Sequence, residues 1–358
     1  MKIVVIANSL SQPRIIKRIE SLSKLDCELK IYGYDRGIYT CNSLPKSLSV
    51  EILGAQKDGV SYKNKFSQVK NDISNIISKE GKNDVLYYAF GFIQALFLFA
   101  QKVKYIYEIS DIVYAYKKFA LVSPFVKILD KKIIAQSKVT ILTSEGFADY
   151  FYGDNRPQNI IIHPNKLNSF FNSFSDRKVK DIDINHLVFS FIGAIRYPDT
   201  ILRFAKIIGK YYPQHEFHFY GESSYEKDFK LETKEYSNVK YFGKFNNPKD
   251  LGSIYSKVDV VVACYDVSSL NEKIAEPNKL YESLFFCKPI IVSTTTFLSK
   301  QVEKYGCGFS IDAHEDKNII NLINCLDYNV LNNIVETEFL IDRNTLIDNS
   351  DKLISSII

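Results

Sequence analysis

The sequence predicts an α/β chain of two doubly wound domains in tandem. Three observations carry that reading. Short apolar runs of strand length alternate with apolar residues at helical spacing, the alternation stops in a polar stretch, and it then restarts. In the first half Val4–Ile6 has the unbroken apolar character of a parallel strand buried on both faces. Ile15, Ile19 and Leu22 follow at helical spacing, then a strand over Leu29–Gly33, a helix marked by Val69, Ile73 and Ile76, and strands at Val85–Tyr88, Lys104–Glu108 and Val139–Leu142. Asn168–Asp183 is rich in Asn, Ser, Asp and Lys and is read as a linker. Strands resume at Leu187–Phe191, Glu216–Tyr220, Val239–Phe242, Val258–Ala263 and Pro289–Val292. The 358 residues suit two domains of ordinary size, and ligands of such folds bind at the carboxyl ends of the strands.

Composition narrows the class. With 46% hydrophobic and 24% charged residues the chain is a packed globular protein, and a net charge of +5 is too mild to indicate a nucleic-acid partner. Cys27, Cys41, Cys264, Cys287, Cys307 and Cys325 form no C-x-x-C pair, which suits buried free thiols in a reducing cytoplasm. The apolar run Ile3–Ala7 is too short for a signal peptide. The uncharged stretch Val85–Gln101 falls short of the ~20 residues of a spanning helix and reads as a buried strand followed by a buried helix.

The most informative segment is Glu276-Pro277-Asn278-Lys279-Leu280-Tyr281-Glu282, which runs on to Cys287-Lys288-Pro289-Ile290-Ile291-Val292. Pro277 suits a helix start, and Leu280, Leu284 and Cys287 make a buried stripe. Asn278 and Lys279 then lie at the helix N-terminus, where free N–H groups, the dipole and a lysine charge favour phosphate. Glu282, one turn deeper, is placed to accept hydrogen bonds from a ribose diol; the competing reading is a capped helix with a solvated Lys and Glu. A second element is the strand end Phe191-Ile192-Gly193, where glycine admits a ligand to the backbone and Arg196 can grip phosphate, against an ordinary turn with a surface arginine. A third, Phe219-Tyr220-Gly221-Glu222, places a glycine at a strand end that could lie against the base or diphosphate.

Together these segments resemble family-4 glycosyltransferases, especially those of bacterial capsule and O-antigen synthesis. The family's strand ends F-x-G and Y/G-x-G and its P-N-K-L-x-E helix followed by G-K-P-V-I correspond here to Phe191–Arg196, Phe219–Gly221, and Pro277–Glu282 with Lys288–Ile291. In the first half Pro13-Arg14 with Lys17-Arg18, Tyr107-Glu108-Ile109-Ser110-Asp111 and Asn165-Lys166 resemble the family's P-R-V-x-R, Y-E-x-H-D and N-K stretches. The resemblance implies the GT-B fold, two Rossmann-like domains facing each other across a cleft. Residues 1–168 would bind the acceptor and 169–358 the nucleotide sugar, with a C-terminal helix at about 340–357 crossing back to the first domain. It implies a nucleoside-diphosphate sugar donor, a glycan or lipid-linked acceptor, and no cofactor or metal. Donor-site residues would be Gly193, Arg196, Tyr220, Gly221, Glu276, Asn278, Lys279, Leu280 and Glu282, with Arg14, Glu108 and Asp111 on the acceptor side. The chain departs from the family at two places. The first glutamate of E-x7-E would fall on Ile274, with Glu276 the nearest acid, and Ser110 stands where the family carries histidine.

Asp111 follows a strand end, where a carboxylate can act as the base for an attacking hydroxyl or can N-cap a helix starting at Ile112 or Val113. Glu108 reads as structural, capping backbone groups. Asp181-Ile182-Asp183 has the form of a metal-binding D-x-D but lies in the polar linker and reads as solvated. His163, His186, His215, His218 and His314 show no metal-ligand spacing. Residues 113–136 interleave Tyr114, Tyr116, Phe119, Leu121, Val122, Phe125, Ile128 and Leu129 with Lys117, Lys118, Lys127, Lys131 and Lys132. Such a segment either lies on an anionic membrane or packs on the core with a solvated basic face. Two other functions share the expected fold and ligand, a UDP-sugar 2-epimerase and a non-catalytic nucleotide-binding scaffold.

Overall fold

In the computed structural model, residues 1–35, 44, 47–55, 62–116, 119–174, 181–195, 198–223 and 225–358 are described. The chain divides into two compact units, Met1–Asn165 with Asn349–Ile358, and Lys166–Asp348. The division lies three residues before the sequence boundary at 168.

The first unit contains β1 (Lys2–Ala7), α1 (Pro13–Leu22), β2 (Glu28–Asp35), β3 (Ser49–Ala55), α2 (Tyr62–Glu80), β4 (Val85–Phe90), α3 (Phe92–Ala100), β5 (Tyr105–Ile109), α4 (Ser123–Gln136), β6 (Val139–Leu142), α5 (Glu145–Tyr152) and β7 (Ile160–Ile162). Its seven strands pair in parallel in the order β3-β2-β1-β4-β5-β6-β7, so the winding reverses beside β1. β1 and β4 are almost wholly apolar because helices cover both faces. Val85–Gln101 resolves into β4 and α3, the buried strand and helix expected. Among the described residues no helix is long and apolar enough to cross a membrane.

The second unit contains β8 (Val188–Ile192), α6 (Pro198–Tyr211), β9 (Glu216–Tyr220), α7 (Glu226–Glu232), β10 (Val239–Gly243), α8 (Leu251–Tyr255), β11 (Val260–Ala263), α9 (Leu270–Ile274), α10 (Asn278–Phe286), β12 (Ile290–Ser293), α11 (Phe297–Tyr305), β13 (Gly308–Ile311), α12 (Asp316–Cys325) and α13 (Tyr328–Phe339). The order is β10-β9-β8-β11-β12-β13, again parallel throughout, with the switch between β8 and β11. Residues 169–183 are not all linker. Ser169–Ser173 forms a 3-10 turn that buries Phe171 against Phe285, at a ring distance of 5.0 Å. The C-terminal segment is broken rather than one helix over 340–357: a 3-10 turn at Arg343–Leu346 precedes α14 (Ser350–Ile357), which belongs to the first unit. There Leu353, Ile354 and Ile357 join the core that α1 also lines.

The expectation of buried thiols holds for Cys264, Cys287 and Cys307. Cys27 is half-buried and Cys325, at the last position of α12, is exposed; Cys41 lies outside the described residues.

Candidate functional site

In the second unit three strand and helix ends carry the sequence motifs. Gly193 (φ +138°) directly follows β8 and Gly221 (φ +130°) directly follows β9, in backbone conformations that glycine adopts without strain. A Cβ on Gly221 would lie 2.0 Å from the Gly193 carbonyl oxygen, so glycine here lets the two strand ends pack on each other. Their N–H groups are also committed, Gly193 to the Tyr220 carbonyl and Gly221 to the Gly243 carbonyl, both at 2.7 Å. A Cβ on Gly193 would meet Lys279 Cε at 3.3 Å, which sets the lysine stem against the end of β8.

The N-terminus of α10 is left open. Pro277, at the N-cap, has no side-chain acceptor to offer and makes no capping hydrogen bond. Neighbouring helices differ. The Asp266 carboxylate accepts from the backbone N–H of Thr200 (2.9 Å) and Asp199 (3.3 Å) and so closes the start of α6. The Glu272 carboxylate accepts from Ser268 N–H at 2.9 Å, and Thr296 caps α11 at 3.0 Å. The partial positive charge at α10 is therefore available to an anion, and Lys279 adds a full charge beside it.

Glu282 is not solvated. It is 2% exposed, and its Oε2 accepts hydrogen bonds from Lys279 Nζ (2.6 Å) and from the Tyr255 hydroxyl (2.8 Å). The side chains of Lys279 and Glu282 thus neutralise each other, an i,i+3 pair on the first turns of α10. Neither hydrogen bond uses Oε1. Glu276, just ahead of the helix, accepts a hydrogen bond from the hydroxyl of the buried Tyr281. Asn278 is half-buried at the first helical position.

Two expected donor residues give their side chains to the core. Leu280 is fully buried, and Tyr220 is buried with its ring stacked on Phe242 at 4.5 Å. Each can meet a ligand only through its backbone or by moving. Arg196 lies outside the described residues. Tyr255 and Asp266 were not singled out in the sequence. No local pattern marks them, because their partners lie 27 and 66–67 residues away.

In the first unit Glu108 is fully buried at the end of β5. Arg14 Nε lies 3.1 Å from its Oε1, Arg18 Nε donates to its Oε2 at 3.2 Å, and the Tyr88 hydroxyl donates to Oε2 at 2.6 Å. Burial alone would raise the carboxyl, but the guanidinium of Arg18, then that of Arg14, offsets it and holds Glu108 below the usual carboxylate range. These partners are side chains, so the glutamate ties α1 to the sheet through ion pairs in addition to any backbone group it caps. Asp111 is half-buried two residues past β5, and its Oδ2 accepts from the Tyr116 hydroxyl at 2.7 Å. The helix it was expected to cap is only a 3-10 turn over Val113–Ala115, with Ile112 at the N-cap.

Asp181 and Asp183 are exposed, and Asp183 accepts from Asn185 N–H within the turn at 3.0 Å. Among the described residues no group of three or more His, Cys, Asp or Glu is arranged to hold a metal ion. His218 is buried with Nε2 on Glu216 at 2.5 Å, and His215 Nδ1 accepts from Leu187 N–H at 3.2 Å, both packing roles.

The family model for glycosyl transferases group 1 matches residues 172–327, which take in β8 through α12. Sucrose-phosphate synthase from Thermosynechococcus elongatus superposes with a TM-score of 0.73 at 12% identity, covering 100% of this chain and 98% of that one. HepE from Anabaena, in complex with UDP and glucose, gives 0.68 at 16% identity, covering 99% and 98%. WaaG, a glycosyltransferase involved in lipopolysaccharide biosynthesis, gives 0.70 at 11% identity and 99% of each chain. At these identities the likeness shows the fold. No curated protein sequence matches the chain. Fold and domain match together define the class: the chain has the GT-B fold, and its residues 172–327 match the glycosyl transferases group 1 family.

Proposed function

We propose that the chain transfers a hexose from a nucleoside-diphosphate sugar, a UDP-sugar, to a glycan or polyprenyl-linked acceptor in surface polysaccharide synthesis, without a metal. The open start of α10 carries this reading. It offers an anion the helix dipole and the Lys279 ammonium, with the Glu282 carboxylate one turn away for a ribose. Dipole and ammonium together supply the positive charge that a departing diphosphate needs, a role a metal fills in other transferases. HepE has the same fold in a complex with UDP and glucose, and WaaG, of the same fold, belongs to lipopolysaccharide synthesis, which supports the donor and the pathway class.

The test is a thermal-shift screen of UDP-, GDP- and TDP-sugars followed by turnover assays. A UDP-sugar at 100 times its Kd is expected to stabilise the protein by about 2.7 kcal/mol. With donor alone the enzyme should only hydrolyse it slowly. Conversion of the UDP-sugar to its 2-epimer would establish the epimerase instead, and tight UDP binding without turnover on any acceptor would establish a scaffold.

The acceptor side of the proposal includes an anionic membrane at which the protein is peripheral and cytoplasmic. α4 packs through Ile133 and Ile134, while Leu121, Phe125 and Ile128 are 91%, 73% and 57% exposed. The segment is thus core-packed at Tyr114, Ile133 and Ile134 and presents Leu121, Phe125 and Ile128 outward. Lys132 is exposed beside it, and Lys127 and Lys131 lie over the rings of Tyr150 and Tyr152. Lys117 and Lys118 lie outside the described residues. Beneath the patch Asp130 is pushed up to about 7 by burial, against hydrogen bonds from Tyr114 and Tyr107. The protein is expected to sediment with phosphatidylglycerol vesicles at low salt. Leu121→Ser with Phe125→Ser should weaken this about tenfold or more, given roughly 1.5–3 kcal/mol for each large apolar side chain that is buried. A wild-type protein that ignores such vesicles would falsify the membrane reading.

A further inference from the structure

The Tyr255 side chain touches the proposed donor site at one atom and the frame of that site at another. It is fully buried at the last position of α8. Its ring stacks on Phe286 at 4.5 Å and 19°, and its hydroxyl donates to Glu282 Oε2 at 2.8 Å. Glu282 and Phe286 are four residues apart on α10, so one tyrosine grips two successive turns of the same helix face. A glutamate has three rotatable bonds, and fixing Oε2 fixes the direction of Oε1 as well.

The second donor to Oε2 is Lys279 Nζ, at 2.6 Å. On the donor reading this lysine has a competing task, since a diphosphate at the start of α10 draws the ammonium toward itself. Once Lys279 turns to phosphate, Glu282 would swing or lose its partner unless another donor stays in place. Tyr255 is that donor: it is fully buried at the end of α8, so its hydroxyl stays on Glu282 when the lysine turns away.

We propose that Tyr255 is a positioning residue of the donor site, holding Glu282 Oε2 so that Oε1 stays aimed at the ribose diol when the diphosphate takes up Lys279. This rests on the donor-site reading above. Burial, followed by the adjacent Glu282 carboxylate, pushes the phenol well above its ordinary range, so it stays protonated and donates at any working pH.

The test is calorimetric titration of wild type, Tyr255→Phe and Phe286→Leu with UDP, 2′-deoxy-UDP and 3′-deoxy-UDP. Tyr255→Phe removes a single oxygen and keeps the ring stack; Phe286→Leu reduces the stack and keeps the hydroxyl. Wild type should bind UDP about tenfold or more tightly than at least one deoxy analogue, the scale of a hydrogen bond to a charged group. In Tyr255→Phe that preference should collapse to about twofold, through weaker UDP binding with little change for the analogue. In Phe286→Leu the preference should survive. A Tyr255→Phe protein that loses the same factor for all three ligands, or none, overturns the proposal, since a merely structural role predicts a uniform effect. Loss of the preference in Phe286→Leu would also overturn it, by assigning the positioning to ring packing. If wild type itself binds all three alike, the ribose contact of Glu282 is wrong and the proposal falls with it, an outcome recognisable before any variant is measured.

Discussion

Lys279→Met is expected to lower turnover about 100-fold or more, the usual loss on removing one charge-stabilising group, while UDP affinity should fall far less. The asymmetry follows from where charge develops. On the donor-site reading the helix dipole already holds the diphosphate in the ground state, and Lys279 has an alternative partner in Glu282 at 2.6 Å. Part of what the lysine gains from phosphate it loses from the carboxylate, so its net contribution to binding is small. As the glycosidic bond breaks, the leaving diphosphate acquires negative charge and the balance shifts to phosphate. Methionine keeps the apolar stem that lies against Gly193 and removes only the ammonium. It also leaves Glu282, 2% exposed, with Tyr255 as its remaining donor. Removing one member of a buried pair is destabilising, so turnover must be read at a temperature where the variant is folded, set by its thermal unfolding curve. Turnover within about threefold of wild type would remove Lys279 from the chemistry.

The same pair shows what could be read from sequence and what could not. The helix start, the lysine and the glutamate of α10 were legible because a proline at a helix start and the spacing of residues along a helix are local signals. The burial of Glu282 was not. It depends on Tyr255, a partner 27 residues away that arrives only when α8 and α10 pack together. The parallel strands were legible as apolar runs, with ends correct to within about two residues at β5, β11 and β12. β3, β7 and β13 were missed. All three lie at sheet edges; β7 and β13 have only 3 and 4 residues, and β3 is largely solvent-facing, so none presents a long buried run. Gly221 was legible as a strand-end glycine. Its reason, the approach of the Gly193 carbonyl, is a contact between two strand ends that spacing does not reveal.

Asp111→Asn is expected to lower transferase activity about 100-fold or more while leaving UDP binding intact, the loss typical of a general base. The structure sharpens this substitution as a test. In the sequence the competing role was an N-cap, but the segment after Asp111 makes only a 3-10 turn, and Ile112 occupies the cap position. A capping contribution is therefore smaller than for a full helix, because fewer aligned peptide dipoles and fewer orphan N–H groups are involved. The Tyr116 hydroxyl donates to Oδ2 at 2.7 Å, and an asparagine can accept that bond through its amide oxygen. Local geometry thus survives the change, and what disappears is the ability to take up a proton. An attacking hydroxyl must lose its proton as the new glycosidic bond forms, and a half-buried carboxylate just past the carboxyl end of β5 is suited to receive it. The measurement is initial rate at saturating donor and acceptor, with UDP affinity determined in parallel. If the variant keeps most of its activity, Asp111 is not the base, and a configuration-retaining mechanism that needs no protein base becomes the reading to pursue.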